Sequence, residues 1–364
     1  MAAMRVHGQP TRTIWPAADG RAVDIIDQTA LPHAFRVQRL ESLEAVARAI
    51  LGMQVRGAPL IGVTAAYGLA LALAQAADDA ALAAAVATLA ATRPTAVNLA
   101  WALARVQARV LPLPVAARAA AAWREAAMIA DEDVAQCRQI GENGLRLLGP
   151  LAAERGGLSL MTHCNAGWLA TVDHGTALAP VYAAVAAGIA VQVWVSETRP
   201  RNQGLLTAWE LAQHGVPHTL VADNAAGILL ARGGIDAVIV GADRIAANGD
   251  VANKVGTWLK ALAARECGVP FYVAAPRSSI DFSCPNGGAI PIEERAADEL
   301  RFVNGRDGAG HPTRLQQLAA DSAVANPAFD VTPGRLVSAL ISERGCCAAS
   351  RDGLLALYPE ERHD

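Results

Sequence analysis

The sequence lacks the short motifs that bind metals or nucleotide cofactors. Its six cysteines form no CxxC pair and no paired Cys/His spacing, which argues against a zinc site. Neither a GxGxxG after the first strand of the predicted sheet nor a GxxxxGK(S/T) occurs, so a nucleotide cofactor is not indicated. We therefore expect a protein that works without metal or cofactor. The low cysteine density in 364 residues is typical of a reducing, cytoplasmic compartment.

Long runs of charge of one sign are also missing. The 31 Lys and Arg and 34 Asp and Glu residues are mixed along the chain and give a net charge of −3. This pattern predicts neither a nucleic acid nor a membrane surface as a partner, and residues 1–15 lack the apolar run of a signal peptide. Residues 57–77 and 175–196 carry no charge. We interpret the first as a helix buried on all sides rather than a membrane span, and the second as helix, turn and strand.

Length and periodicity predict two domains, at about 150 residues per domain. Residues 1–150 are predicted to be mainly helical, with a short hairpin of residues 13–15 and 22–27 around an Asp-Gly turn. In residues 151–364, apolar β-branched runs alternate with helices that end in glycine. This alternation predicts an α/β fold with a doubly wound, Rossmann-like parallel sheet. Thr332, Pro333 and Gly345 are predicted to cap, open and end a C-terminal helix.

Two candidate reactive groups follow apolar strands of this sheet. Cys164 ends the first strand, in THCNAG, and Asp243 ends the fourth, in VIVGADR. If the strands run in the order 3-2-1-4-5, the strand order reverses between these two residues, and ligands of open parallel sheets bind at such a point. We therefore predict a thiol and a carboxylate facing one crevice. The alternative is that Cys164 is an inert core thiol and Asp243 a helix cap.

Cationic residues near predicted helix starts indicate an anion site. Arg56 and Arg93 precede two predicted helices of the first domain, and Asn253 with Lys254 is predicted to open another in the second. The N-terminus of a helix with a nearby cation binds anions readily. Together with the thiol and carboxylate, these residues predict a small phosphorylated substrate. His163 is interpreted as a structural or orienting neighbour rather than a base.

Nine longer motifs are spread over nearly the whole chain: MQVRGAPLIG, RPTAVNLAWA, THCNAG, ETRPRNQG, TAWEL, VGADRIAANGD, NKVGT, IPIEER and NPAFDVTP. In these motifs the chain resembles the methylthioribose-1-phosphate isomerase family. The resemblance implies an aldose–ketose isomerase of methionine salvage, a cofactor-independent homodimer that converts 5-methylthioribose 1-phosphate to 5-methylthioribulose 1-phosphate. It places Cys164 and Asp243 as the catalytic pair. The substrate contacts that it implies are Arg56, Gly57, Ala58, Arg93, Gln203, Asn253 and Lys254.

Three departures from the family pattern and two rival functions accompany this resemblance. Leu60 replaces a small residue, Ser196 replaces an aspartate, and the segment after Gln203 looks one residue short. The same fold resembles regulatory subunits of the eukaryotic translation-initiation guanine nucleotide exchange factor, which are not enzymes. A related isomerase acting on ribose 1,5-bisphosphate or 5-deoxyribose 1-phosphate is the second rival. The sequence also leaves open whether hydrogen moves as a proton or as a hydride.

Overall fold

The computed structural model describes residues 3–362, and its first part is mainly helical. A small hairpin precedes a three-stranded antiparallel sheet of order β3-β4-β5, in which the predicted hairpin pairs Ile14 with Ile25. The strands are β1 Arg5–Val6, β2 Gln9–Pro10, β3 Ile14–Pro16, β4 Val23–Ile26 and β5 Val37–Leu40. Five helices follow: α1 Leu43–Leu51, α2 Ala58–Gln75, α3 Asp79–Ala90, α4 Val97–Val110 and α5 Val115–Arg155.

Helix α2 forms the centre of this helical part. Among the described residues it alone is long and apolar enough to cross a membrane by length and composition, yet 72% of it is buried inside the protein. The other four helices pack around it, so that apolar residues on every side of α2 join one core cluster. The prediction of a helix buried on all sides is thus confirmed, because a core helix needs no polar face.

The long helix α5 leads into the second part of the chain. It has 41 residues, runs through residue 150 to Arg155, and is followed by Gly156, which adopts a left-handed conformation. The division into domains at residues 1–150 and 151–364 stays a prediction.

The second part contains a mostly parallel sheet of seven strands. Its order is β18-β17-β12-β9-β6-β7-β8, and only β18 is antiparallel to its neighbour. The strands of the second part are β6 Leu158–Thr162, β7 Val191–Ser196, β8 His218–Val221, β9 Ala237–Val240, β10 Arg244–Ala246, β11 Val251–Lys254, β12 Phe271–Ala274, β13 Ile280–Asp281, β14 Phe302–Arg306, β15 Pro312–Gln316, β16 Phe329–Thr332, β17 Ala339–Ser342 and β18 Gly345–Cys347. Its helices are α6 Ala179–Ala186, α7 Gln203–Gln213, α8 Ala225–Ala231, α9 Thr257–Glu266, α10 Asp298–Arg301 and α11 Arg351–Leu357.

The strand order that was assumed for this sheet is the one that the structure has. The first five strands of this sheet along the chain are β6, β7, β8, β9 and β12, and they lie in the order 3-2-1-4-5. Strand order therefore reverses between β6 and β9, which pair through Leu160 and Ala237. The ends of these two strands are the ones that carry Cys164 and Asp243.

Helices cover both faces of the sheet, as predicted. Alternate strand residues such as Leu160 and Ile239 pack with α5, α6 and α7, while Met161 and Val240 pack with α8, α9 and α11. Because side chains on a strand point alternately to opposite faces, each strand supplies both clusters. Strands buried on both faces are the reason that the sequence shows continuous apolar runs here.

Two local predictions are wrong. Asn253 and Lys254 end strand β11, and the helix that they were predicted to open begins three residues later at Thr257, after a left-handed Gly256. Thr332 ends strand β16 instead of capping a C-terminal helix, and the chain continues through a short 3₁₀ turn into β17 and β18. A Thr-Pro-Gly sequence suits a turn between strands as well as a helix start, and the apolar residues that follow are buried as the sixth parallel strand.

Candidate active site

All nine residues singled out in the sequence line one cleft. The cleft has a volume of about 710 Å³, a figure that includes space open to solvent, and lies at the carboxyl ends of β6 and β9, opposite the start of α2. Its lining includes Arg56, Gly57, Ala58, Arg93, Cys164, Gln203, Asp243, Asn253 and Lys254. The helical part thus supplies two arginines to a cleft whose other wall is the strand switch point.

Cys164 is held by its backbone immediately after β6. Its φ is 68°, a left-handed conformation that non-glycine residues rarely adopt. Its N–H donates to Oγ1 of Thr198 at 2.9 Å, and its carbonyl accepts from Oγ1 of Thr207 at 2.9 Å. Burial raises the pKa of the Cys164 thiol, and the nearby charges of Arg56 and Lys254 oppose that rise. The hydroxyl groups of Thr198 and Thr207 therefore fix the position of Cys164 through its backbone and not through its sulfur.

Asp243 lies in the turn between β9 and β10. Its N–H donates to the carbonyl of Ala252 at 2.9 Å, so the adjoining β10–β11 hairpin fixes its backbone. Burial raises the pKa of the Asp243 carboxyl, and the charges of Lys254, Arg93 and Arg56 oppose this rise. A buried carboxyl group among cations is suited to proton transfer, because burial favours its protonated form while the neighbouring charges favour its ionised form.

Both arginines of the cleft have donor atoms without a protein partner among the described residues. Arg56 donates from Nη2 to Oδ1 of Asn165 at 2.5 Å, and Nη2 of Arg93 lies 3.5 Å from Oε2 of Glu293. The Nε atoms of both arginines are buried and have no hydrogen-bond partner among the described residues. Guanidinium groups with free donors in a buried setting match the geometry of a phosphate.

Lys254 is the third cation of the cleft. Its Nζ lies 5.0 Å from the ring centroid of Phe329, within range of a cation–π interaction. Burial lowers the pKa of Lys254, whereas the nearby Cys164 and Asp243 raise it. Its neighbour Asn253 donates from Nδ2 to Oγ1 of Thr257 at 3.0 Å, which ties the end of β11 to the start of α9.

Close packing explains the glycine of the Arg-Gly-Ala segment. Gly57 precedes α2 with a φ of 93°, and a Cβ at this position would lie 2.5 Å from atoms of Ala170. The helix that was predicted to follow Arg56 begins at Ala58, with Pro59 in its first turn. The backbone of this loop can therefore approach the cleft closely, and the N-terminus of α2 lies at its edge.

Gln203 begins helix α7, where the segment had looked one residue short. The helix is continuous from Gln203 to Gln213, and the side chain of Gln203 is buried, with no hydrogen-bond partner for its Oε1 among the described residues. Gly204 follows it, and a Cβ there would lie 2.1 Å from the carbonyl oxygen of Ser196. Because α7 packs so closely on the end of β7, Gln203 is held against the cleft.

Several polar neighbours of the cleft were missed in the sequence. Asn165, Thr207 and Glu210 form a buried hydrogen-bonded group behind Arg56, and burial raises the pKa of Glu210 to about 7. Thr207 and Glu210 lie about a helical turn apart on α7, but no local pattern links that helix to Asn165. Only the order of strands and helices brings them together.

His163 has the surroundings of a structural residue. It is fully buried, its Nε2 lies 2.9 Å from the carbonyl oxygen of Val255, and burial lowers its pKa to about 3. A neutral imidazole that contacts the backbone agrees with the structural interpretation. Across residues 3–362 there is also no group of three or more His, Cys, Asp and Glu side chains placed to hold a metal ion.

The fold and the cleft together define a class of protein. A family model described as "Initiation factor 2 subunit family" matches residues 54–349, a range that includes all nine residues of the cleft named above. A solved structure titled as translation initiation factor eIF-2B, subunit delta, from A. fulgidus is 38% identical, with a TM-score of 0.80 and coverage of 96% of this chain and 99% of that one.

More specific similarities come from full-length relatives. A methylthioribose-1-phosphate isomerase of Dechloromonas aromatica is 67% identical over 98% of this chain and 99% of its own length, and one of Methylorubrum populi is 58% identical over 99% of both. The crystal structure of 5-methylthioribose 1-phosphate isomerase from Pyrococcus horikoshii is 40% identical, with a TM-score of 0.83 and 96% of both chains covered. The chain belongs to the initiation factor 2 subunit family and, within it, to the methylthioribose-1-phosphate isomerases.

Proposed function

We propose that this protein is a cofactor-independent aldose–ketose isomerase of methionine salvage, which converts 5-methylthioribose 1-phosphate to 5-methylthioribulose 1-phosphate. The observation that carries the proposal is that one cleft lies between a thiol, a carboxyl group and three cations. The names of the relatives supply the substrate, because they are methylthioribose-1-phosphate isomerases over their full length. The chemistry of the cleft is consistent with a small sugar that carries one phosphate.

The cations and the start of α2 are proposed to bind the phosphate. Arg56 and Arg93 each have a buried Nε without a partner among the described residues, and the N-terminus of α2 has no side-chain cap and no acidic residue in its first turn. Helix N-termini and arginine forks both stabilise dianions. The sugar then extends toward Cys164 and Asp243, which line the same cleft.

Asp243 is proposed to open the sugar ring. The phosphate on C1 prevents the spontaneous opening that a free hemiacetal would undergo, so the ring oxygen needs a proton from an acid. Burial raises the pKa of Asp243 and so favours the form that can donate this proton. Afterwards the Asp243 carboxylate accepts the proton that the 2-hydroxyl loses as C2 becomes a ketone. Over one turnover the acid is regenerated and one hydrogen has moved from C2 to C1.

Cys164 is proposed to assist that hydrogen transfer, by one of two routes. In the first, the thiolate removes a proton from C2 and returns it to C1. In the second, the hydrogen passes directly as a hydride and the thiol stabilises the migrating charge. A substrate with deuterium at C2 tests the routes: a direct hydride shift must retain the label at C1, so any exchange of the label with solvent indicates a proton relay.

Steady-state kinetics with three sugars tests the proposal. We expect the highest kcat/KM for 5-methylthioribose 1-phosphate, a lower value for 5-deoxyribose 1-phosphate, and no turnover of ribose 1,5-bisphosphate, whose second phosphate would need additional cations. Turnover should survive a chelator, because the proposed chemistry uses only side chains. Failure to convert any of the three sugars would favour a regulatory subunit.

The assembly is proposed to be a cytoplasmic homodimer that needs neither nucleic acid nor a membrane. The resemblance to the family is the basis for the dimer, and an exposed apolar surface on α8 and α9 supports it. There Ile228, Trp258, Leu259 and Leu262 are between 39% and 62% exposed. Exposed clusters of large apolar side chains commonly mark contacts between protein chains.

A further inference from the structure

A chain of buried hydrogen bonds joins Glu210 to Arg56, yet Glu210 does not line the cleft. Oε2 of Glu210 accepts from Nδ2 of Asn165 at 3.2 Å, and Oδ1 of Asn165 accepts from Nη2 of Arg56 at 2.5 Å. Glu210 and Asn165 are both buried. The guanidinium group of Arg56, which is proposed to bind the phosphate, therefore donates to a buried acceptor, Asn165. Asn165 is in turn hydrogen-bonded to the buried Glu210.

The hydrogen bonds around Asn165 determine which end of its amide faces Arg56. Nδ2 carries two hydrogens and has two acceptors, Oε2 of Glu210 and Oγ1 of Thr207, the latter at 3.1 Å. The hydroxyl hydrogen of Thr207 is directed to the carbonyl of Cys164, so the oxygen of Thr207 is free to accept. With both hydrogens of Nδ2 bound, Oδ1 is turned to Arg56. If the amide of Asn165 were flipped, its Nδ2 would face Nη2 of Arg56, and two donors would meet without an acceptor.

Glu210 itself cannot move easily. Its Oε2 also accepts from the N–H of Leu169 at 3.2 Å, and its Oε1 accepts from the hydroxyl of Tyr182 at 3.1 Å. The backbone closes over the carboxyl group, because a Cβ on Gly167 would lie only 1.3 Å from Oε1. A buried acceptor with three donors and no free space is well placed to orient a neighbour.

We propose that Glu210 is a positioning residue, which orients the amide of Asn165 and thereby holds the guanidinium of Arg56 for the phosphate of the substrate. This inference rests on the proposed isomerase activity. It assigns Glu210 no contact with the reacting atoms. What matters is the acceptor at Oε2, which an amide oxygen can replace, and not the full negative charge. Burial raises the pKa of Glu210 to about 7, whereas the hydrogen bonds from Leu169, Asn165 and Tyr182 lower it and favour the form that accepts all three.

Three variants separate positioning from a merely structural role. Glu210→Met removes the acceptor, and we expect KM for the sugar phosphate to rise about tenfold with a smaller change in kcat, as for loss of uniform substrate binding. Glu210→Gln keeps an acceptor for Asn165, and its KM should return to within about threefold of the parent. Tyr182→Phe removes a different hydrogen bond to Glu210 and should leave KM unchanged. All are assayed well below their melting temperatures.

Combining Glu210→Met with Arg56→Lys checks the route of the effect. Lysine lacks the Nη2 group that Asn165 fixes, so Glu210→Met should raise KM little further in that background. The positioning role is overturned if folded Glu210→Met keeps the parental KM, if its effect adds fully to that of Arg56→Lys, or if Glu210→Gln alone raises KM tenfold. The Glu210→Gln test applies even if Glu210→Met does not fold. Absence of turnover in the parent protein would instead remove the proposed function.

Discussion

Replacing Cys164 by serine and Asp243 by asparagine, singly and together, tests whether the two residues form one catalytic unit. We expect each single variant to lower turnover by at least about a hundredfold, the lower range for acid–base assistance. A hundredfold corresponds to about 2.7 kcal/mol in the activation barrier. The double variant should be little slower than the slower single one, because groups that act in the same step give non-additive losses.

The structure indicates that these losses should occur without unfolding. The left-handed backbone of Cys164 is held through its N–H and carbonyl by Thr198 and Thr207, and serine keeps both contacts. Asparagine at position 243 keeps the backbone hydrogen bond to Ala252 and nearly the same volume. Because burial raises the pKa of Asp243, the folded site disfavours its charge, so neutral asparagine should be tolerated. Both variants should melt near the parent.

Steady-state turnover and thermal melting are measured on the same preparations. The outcome that refutes the reasoning is a Cys164→Ser variant with most of its activity and several kcal/mol less stability, which would make Cys164 a core thiol. A double variant whose loss equals the product of the two single losses would also contradict a joint step. Wild-type protein carried through the same purification is the control.

Three further predictions concern the phosphate, the pH dependence of stability and the assembly. Arg93→Ala should weaken productive binding by about 2–4 kcal/mol, and unchanged kinetics would place the phosphate elsewhere. Burial raises the pKa of Asp133 to about 7, so the folded state binds the proton more tightly and this group costs stability as pH rises from about 4 to 7. In urea unfolding, the free energy of unfolding of Asp133→Asn should therefore rise relative to that of the parent as the pH increases across this window. A difference in free energy between the two proteins that does not change with pH would contradict the prediction. Leu259→Glu should shift the sedimenting species from dimer to monomer, whereas a parent that is already monomeric and active at micromolar concentration would disprove the dimer.

The sequence alone determined much of the second part of the fold. Apolar runs of strand length, helices ended by glycine and polar residues after each strand are local features, and they follow directly from burial on both faces of a sheet. They were sufficient to predict a doubly wound parallel sheet. The strand order 3-2-1-4-5 was assumed for such a sheet, and with that order, which the structure has, Cys164 and Asp243 line one cleft. Where the local sequence suits more than one structure, it did not predict the right one. The segment after Thr332 was predicted to form a helix and forms strands instead.

The tertiary structure decided which distant segments meet at the cleft. Arg56 and Arg93 reach it only because the helical part packs against the strand ends, and Glu210 reaches Arg56 only through Asn165. Periodicity records whether a residue is buried, but it carries no information about which distant residue lies beside it. That information arises from the packing of whole helices and strands, which is why the motifs pointed to the candidate catalytic pair and the structure to the residues behind it.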